Sequence, residues 1–181
     1  MKNFNKLAII LFTGLTIMFS SCSSDSSSGG GSTGPATGAY IKAKVGSSSF
    51  LAEGSLAGGT FTESGMSISG SSITGKSLML QFYNIASVLA PGTYNISAAN
   101  DDNSYTGGVT YNDVNTSNFS VLSYSSENCD NSVGTLIITY VDAAKIEGTF
   151  SCKAKEVKEN EACDGATINI ANGSFRILKN N

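Results

Sequence analysis

Histidine and tryptophan are absent from the 181 residues, and proline occurs only twice. Without histidine, the Ser-His-Asp and Cys-His nucleophile systems are excluded in their usual forms, and so is ordinary zinc hydrolysis. Without tryptophan, the strongest stacking platform for a sugar ring is missing. No serine stands in a Gly-x-Ser-x-Gly elbow, and no Walker-type or dinucleotide glycine motif is present; Gly58-Gly59 reads as a turn. No cofactor is expected. Charged residues make up only 14% of the chain, and the basic ones are the scarcer. Eleven basic residues less Lys2 and Lys6 of the leader leave 9 against 14 acidic ones, a formal net charge of −5 from residue 22 onward. That argues against nucleic acid or an anionic lipid surface as partner.

Residues 1–21 read as a signal peptide that is cleaved from the chain. Lys2 and Lys6 precede an apolar run from Leu7 to Phe19, too short to span a bilayer stably but of the length a secretory signal helix needs. Phe19-Ser20-Ser21-Cys22 resembles a bacterial lipoprotein cleavage box, with Phe where an aliphatic residue is usual. Cys22 is then the lipidated N-terminus, and the membrane is a partner through that lipid. The alternative is an ordinary secretory signal that leaves Cys22 as a free thiol. Residues 22–38 hold Ser, Gly and Thr with no large apolar side chain, so they form a tether; a Gly/Ser coil of this length reaches roughly 20 Å.

From 39 to 181 the chain is long enough for one domain with a proper core and short for two. Its apolar residues alternate with polar ones, which predicts an all-β domain. Strands are expected over 39–45, 50–53, 59–62, 66–74, 77–83, 93–97, 108–112 and 118–124. The best-specified stretch is a hairpin over 132–152. With Asp142-Ala143-Ala144 as its loop, Leu136, Ile138 and Tyr140 share one face with Ile146, Gly148, Phe150 and Cys152. The other face is mostly polar. Near the end, Ala166–Ala171 and Ser174–Leu178 flank Asn172-Gly173, a type I′ turn dipeptide; a continuous strand with a bulge at Gly173 is the competing reading. Antiparallel strands in this number predict a meander closed as a β-sandwich or a flattened barrel, between which the pattern does not choose.

A glycine two residues before an aromatic recurs as Gly59-Thr-Phe61, Gly92-Thr-Tyr94, Gly148-Thr-Phe150 and Gly173-Ser-Phe175. The missing side chain makes room for the ring. In chain order, Ala43–Ala52, Gly92-Thr-Tyr94, Gly134–Thr139, Lys145–Phe150 and Ala171–Phe175 resemble a group of small Bacteroidota-type lipoproteins of unknown function. The resemblance covers nearly all of the domain and implies an all-β envelope protein without an assigned activity. It carries over no catalytic or binding residue, and the cysteines depart from the group's pattern.

Cys129, Cys152 and Cys163 remain after Cys22. Extending the 132–152 hairpin places Cys129 opposite the region of Val157, so a Cys129–Cys163 disulfide is expected, with Cys152 a buried and inert thiol. Cys152–Cys163 is the alternative. Asp101 and Asp102 with Asn103 offer oxygen ligands to an ion such as Ca²⁺ but lack the spacing of an EF-hand loop; a plain polar loop is the simpler reading. Tyr105 and Tyr111 bracket a glycine pair and form a candidate ligand surface for a glycan or peptide, against the simpler reading of packed strand tyrosines. Glu53, Glu63, Glu127, Glu147, Glu156, Glu159 and Glu161 are the pool for paired-carboxylate glycan cleavage. No metal site and no enzyme activity are expected. The resulting expectation is a monomeric outer-membrane lipoprotein of the cell envelope, on its periplasmic or surface face, acting as a binding or structural module for a glycan, peptide or protein. The alternatives are a carrier holding an apolar ligand in a barrel cavity and a glycan-cleaving enzyme.

Overall fold

The computed structural model of the chain describes residues 35, 37–96, 104–127, 133–158 and 164–179. Eleven strands are formed among them: β1 Tyr40–Val45, β2 Ser48–Glu53, β3 Ala57–Phe61, β4 Gly65–Ser71, β5 Lys76–Asn84, β6 Gly92–Asn95, β7 Tyr105–Asn115, β8 Ser120–Ser125, β9 Gly134–Val141, β10 Lys145–Glu156 and β11 Thr167–Leu178. There is no α-helix among the described residues, only one 3-10 turn over Gly54–Leu56. The all-β, antiparallel expectation therefore holds.

The topology hinges on β10. One of its edges pairs with β11 along its length, and the other serves two strands in succession. Ile146 to Cys152 pair with β9, which carries β6 on its far side; Lys155 and Glu156 pair with β8. The sheet thus forks into a layer β2-β1-β11-β10-β9-β6 and a layer running from β8 through β7, β5 and β4 to β3. The layers fold onto each other as a flattened, nearly closed barrel. At one margin β4 meets β1 and β2 so closely that a Cβ on Gly70 would stand 2.5 Å from Ala52 Cβ and 2.6 Å from Ile41 Cγ2. At the other, the Tyr94 ring of β6 packs on Phe82 of β5 with centroids 4.7 Å apart.

The alternating side chains turn inward to fill the space between the layers. Phe82, Phe175, Met66, Ile68, Leu80 and Ile138 are all almost wholly buried. Each such side chain contributes roughly 1.5–3 kcal/mol by leaving water. The interior is packed side chains, as in small barrels generally.

Three local expectations are corrected. In the β9–β10 hairpin, Leu136 and Ile138 face Phe150 and Gly148 as read, but a register shift at Thr139 re-aims the strand end. Val141 now lies opposite the fully buried Ile146, and Tyr140, expected inside, is turned to solvent. A bulge inserts one residue, and one residue reverses the facing of those beyond it. Second, of the two readings of Asn172-Gly173 the type I′ turn fails, and the continuous strand with a bulge is the one formed. β11 runs straight through the dipeptide, with a bulge there against both β1 and β10, and Asn172 takes φ 52. β10 and β1 supply partners on both edges of β11, which a two-residue hairpin would forfeit. Third, Gly58-Gly59 lies inside β3 and not in a turn, while Ile73 leaves its expected strand for the β4–β5 turn and is 92% exposed.

Candidate functional site

At the end of the barrel where β3 stops and β10 begins, four separated segments enclose an open cleft of about 420 Å³. The first is the β3–β4 turn. Thr62 N–H donates to Gly65 O at 2.8 Å, and Thr62 Oγ1 accepts from Gly65 N–H at 3.1 Å, which holds Glu63 at the tip. The second is the β5–β6 loop, drawn over the turn by hydrogen bonds from Leu89 N–H to Glu63 O and from Asn84 N–H to Ser64 O. Asn84 braces this loop through Ser87, and the Tyr94 hydroxyl donates to Ala90 O at 2.8 Å. Leu89 is thereby buried in the cleft floor.

The opposite wall comes from the other layer. Asp142 Oδ1 accepts from the backbone N–H of Ala144 and of Lys145, each at 2.8 Å, and Oδ2 accepts from the Tyr140 hydroxyl at 2.6 Å. Lys179, just past β11, is tied to this turn by its N–H on Ala144 O. Phe61, Leu89 and Val141 supply apolar surface, and Glu63, Asp142 and Lys179 bring charge to the rim. The Tyr140 hydroxyl, with help from the Ala144 and Lys145 amides, holds the Asp142 carboxyl below the usual carboxylate range, and the same bond raises the Tyr140 phenol. The geometry suits capture of a small molecule between an apolar floor and opposite charges.

The residues singled out in the sequence lie elsewhere. Tyr105 and Tyr111 are on the inward side of β7. Tyr105 packs edge-on to Tyr94 and tilted to Phe82, each with centroids 5.7 Å apart, and its oxygen accepts from Asn95 N–H. Tyr111 is 4% exposed beside Tyr124; burial, then the Asp113 carboxylate, pushes its phenol up to about 12. These two rings therefore sit with the packed strand tyrosines, and Tyr111 offers no solvent-facing surface. Cys152 is buried and free, and burial pushes its thiol up to about 12, so almost no thiolate forms at neutral pH. Cys22, Cys129, Cys163, Asp101, Asp102, Asn103, Glu159 and Glu161 lie outside the described residues. Among the described residues, no cluster of three or more potential ligands is placed to hold a metal ion.

Of the carboxylates that shift, all shift down. Burial works to raise Glu147, but hydrogen bonds from Arg176 and Lys145 outweigh it and hold the group below its ordinary range. Glu156 is held down by Lys158 and then by the Ala166 amide. A general acid needs the reverse. Glu63 belonged to the carboxylate pool read from the sequence; its association with Lys179, Leu89 and Val141 had no signal there, because turns far apart in the chain assemble the cleft. Compared with known proteins, the chain matches no family model, no curated protein and no solved structure.

Proposed function

We propose that this chain is a lipid-anchored protein of the cell envelope whose β domain is a binding module for a small ligand. The anchor rests on the sequence: a signal-length apolar run, Phe19-Ser20-Ser21-Cys22, and a Ser/Gly tether that leads to the domain. Outer-membrane placement and a Cys129–Cys163 disulfide belong to the same reading, since an exported chain passes into an oxidising compartment.

The observation that carries the binding role is the cleft at the barrel mouth, which joins an apolar floor to charges from both layers. The carrier alternative draws no support from an interior filled by Phe82, Phe175 and Met66. Glycan cleavage draws none from carboxyls that are held ionised.

Two experiments test the proposal. Growth of a diderm host with an alkyne analogue of palmitate should label the chain, and Cys22→Ser should abolish the label; equal labelling of both would remove the anchor. Amide NMR of the protein, titrated with amino acids, dipeptides, sugars and short fatty acids, should show shifts gathered at 61–63, 88–89 and 141–143. Shifts confined to other parts of the barrel would remove the cleft as the binding site.

A further inference from the structure

We infer that the mouth cleft takes a small zwitterion with an apolar body, as offered by an apolar amino acid or a dipeptide with free ends. This rests on the cleft being the binding site. Glu63 stands on the β3–β4 turn and Lys179 just beyond β11, so the two opposite charges come from the two layers that form the walls. Neither makes an ion pair with another described residue. Asp142, the third charge, already accepts three hydrogen bonds within its own turn. Its orientation is set by the fold, and Glu63 is the carboxylate left to meet a ligand amine.

Charge matching then selects the ligand class. A neutral sugar laid in the cleft would cover Glu63 and Lys179 without offering either a counter-charge. A fatty acid would answer Lys179 and leave Glu63 desolvated. An alkylamine would do the converse. A zwitterion answers both: its ammonium meets Glu63, its carboxylate meets Lys179, and its apolar side chains lie on Phe61, Leu89 and Val141. The volume of about 420 Å³ falls at the small end of ligand sites and suits one or two residues better than an oligosaccharide.

The test is calorimetric titration of the full chain in mild detergent with Leu-Leu, with N-acetyl-Leu-Leu and with Leu-Leu amide. Leu-Leu should bind, and blocking either end should weaken binding by about tenfold or more. In Glu63→Gln the preference for the free amine should disappear while the preference for the free carboxylate remains, and Lys179→Met should show the opposite pattern. Both side chains are exposed, Glu63 in a turn and Lys179 just past the end of β11, and unchanged melting temperatures would show that the variants fold. Equal binding of blocked and free peptides, unchanged preferences in the variants, or no heat at about 10 mM peptide would each overturn the assignment. If a sugar or fatty acid shifts the cleft amides while Leu-Leu does not, the zwitterion falls and the binding module stands; if no ligand reaches the cleft, both fall.

Discussion

Gly148 of β10 lies directly opposite Phe175 of β11, and two residues on, Phe150 lies opposite Gly173. Each glycine-aromatic motif thus supplies the space that the other's ring occupies, and the two rings pack 6.5 Å apart. A Cβ on Gly148 would stand 2.8 Å from the Phe175 ring and 2.3 Å from Ile137 O. One on Gly173 would stand 2.7 Å from the Phe150 ring and 2.6 Å from Phe150 O.

Gly148→Ala and Gly173→Ala should therefore each destabilise the domain by about 1–3 kcal/mol, the usual cost of overpacking, as read by urea unfolding. Shrinking the facing ring in Gly148→Ala/Phe175→Leu should not restore stability, because the Ile137 carbonyl is held in the β9–β10 ladder. Full rescue by the smaller side chain would show that the ring, not the backbone, sets the requirement.

Asn172 and Phe119 are the described non-glycine residues with positive φ, at 52 and 56. Asn tolerates this region and alanine does not, so Asn172→Ala should cost about 1 kcal/mol while Asn172→Gly stays near neutral. Phe119 is 81% exposed at the β7–β8 turn and loses little contact on removal. Phe119→Gly should raise stability by up to about 1 kcal/mol in the same unfolding assay.

The trio Lys145, Glu147 and Arg176 makes stability depend on acid. Arg176 also donates to Pro35 O at 3.1 Å and lies over the Tyr40 ring, so the trio helps hold the segment that leads into β1. Folding lowers the Glu147 carboxyl below its ordinary 4.5. Its contribution is therefore full above that value and is lost as pH falls through the folded pKa. Glu147→Gln should cost roughly 1–2 kcal/mol at pH 7, and the gap to the wild type should close progressively below pH about 4. A gap that persists unchanged in strong acid would assign the cost to packing and not to charge.

The Cys152 thiol behaves in the opposite sense. Its pKa rises from 9.0 to about 12 on folding, so the stability tied to the neutral thiol is complete below about 9 and is lost as pH climbs toward 12. In the native protein at pH 8, iodoacetamide should leave the peptide containing Cys152 unmodified over a period in which the urea-unfolded chain is fully alkylated. Rapid native alkylation, followed by peptide mass, would contradict the burial.

Much of the fold is legible in the residues because strand periodicity is local. Leu78, Leu80 and Phe82 announce their inward face within one segment, and so do Leu136 and Ile138, since side chains alternate wherever the backbone is extended. What a glycine-aromatic motif is for is also visible, but not which ring meets which glycine. The pairing of Gly148 with Phe175 depends on strand order and register, which no single segment contains.

Tertiary context decided the rest. Asn172-Gly173 has the chemistry of a turn, yet it lies in a strand, because β1 and β10 together offer more backbone hydrogen bonds to a straight β11 than a hairpin could recover. The Thr139 bulge, which exchanges Tyr140 for Val141 in the interior, likewise answers to what Ile146 needs opposite it. The cleft is the extreme case: Phe61, Glu63, Leu89, Val141 and Lys179 meet only because the barrel brings three strand connections and the end of β11 to one mouth. By itself the sequence determined the all-β class, and it alone carries the signal and tether patterns behind the proposed anchor, for these rest on composition and on spacing between near neighbours. The site was decided by the closing of the sheet, since a site is a meeting of distant residues and local physics has no term for it.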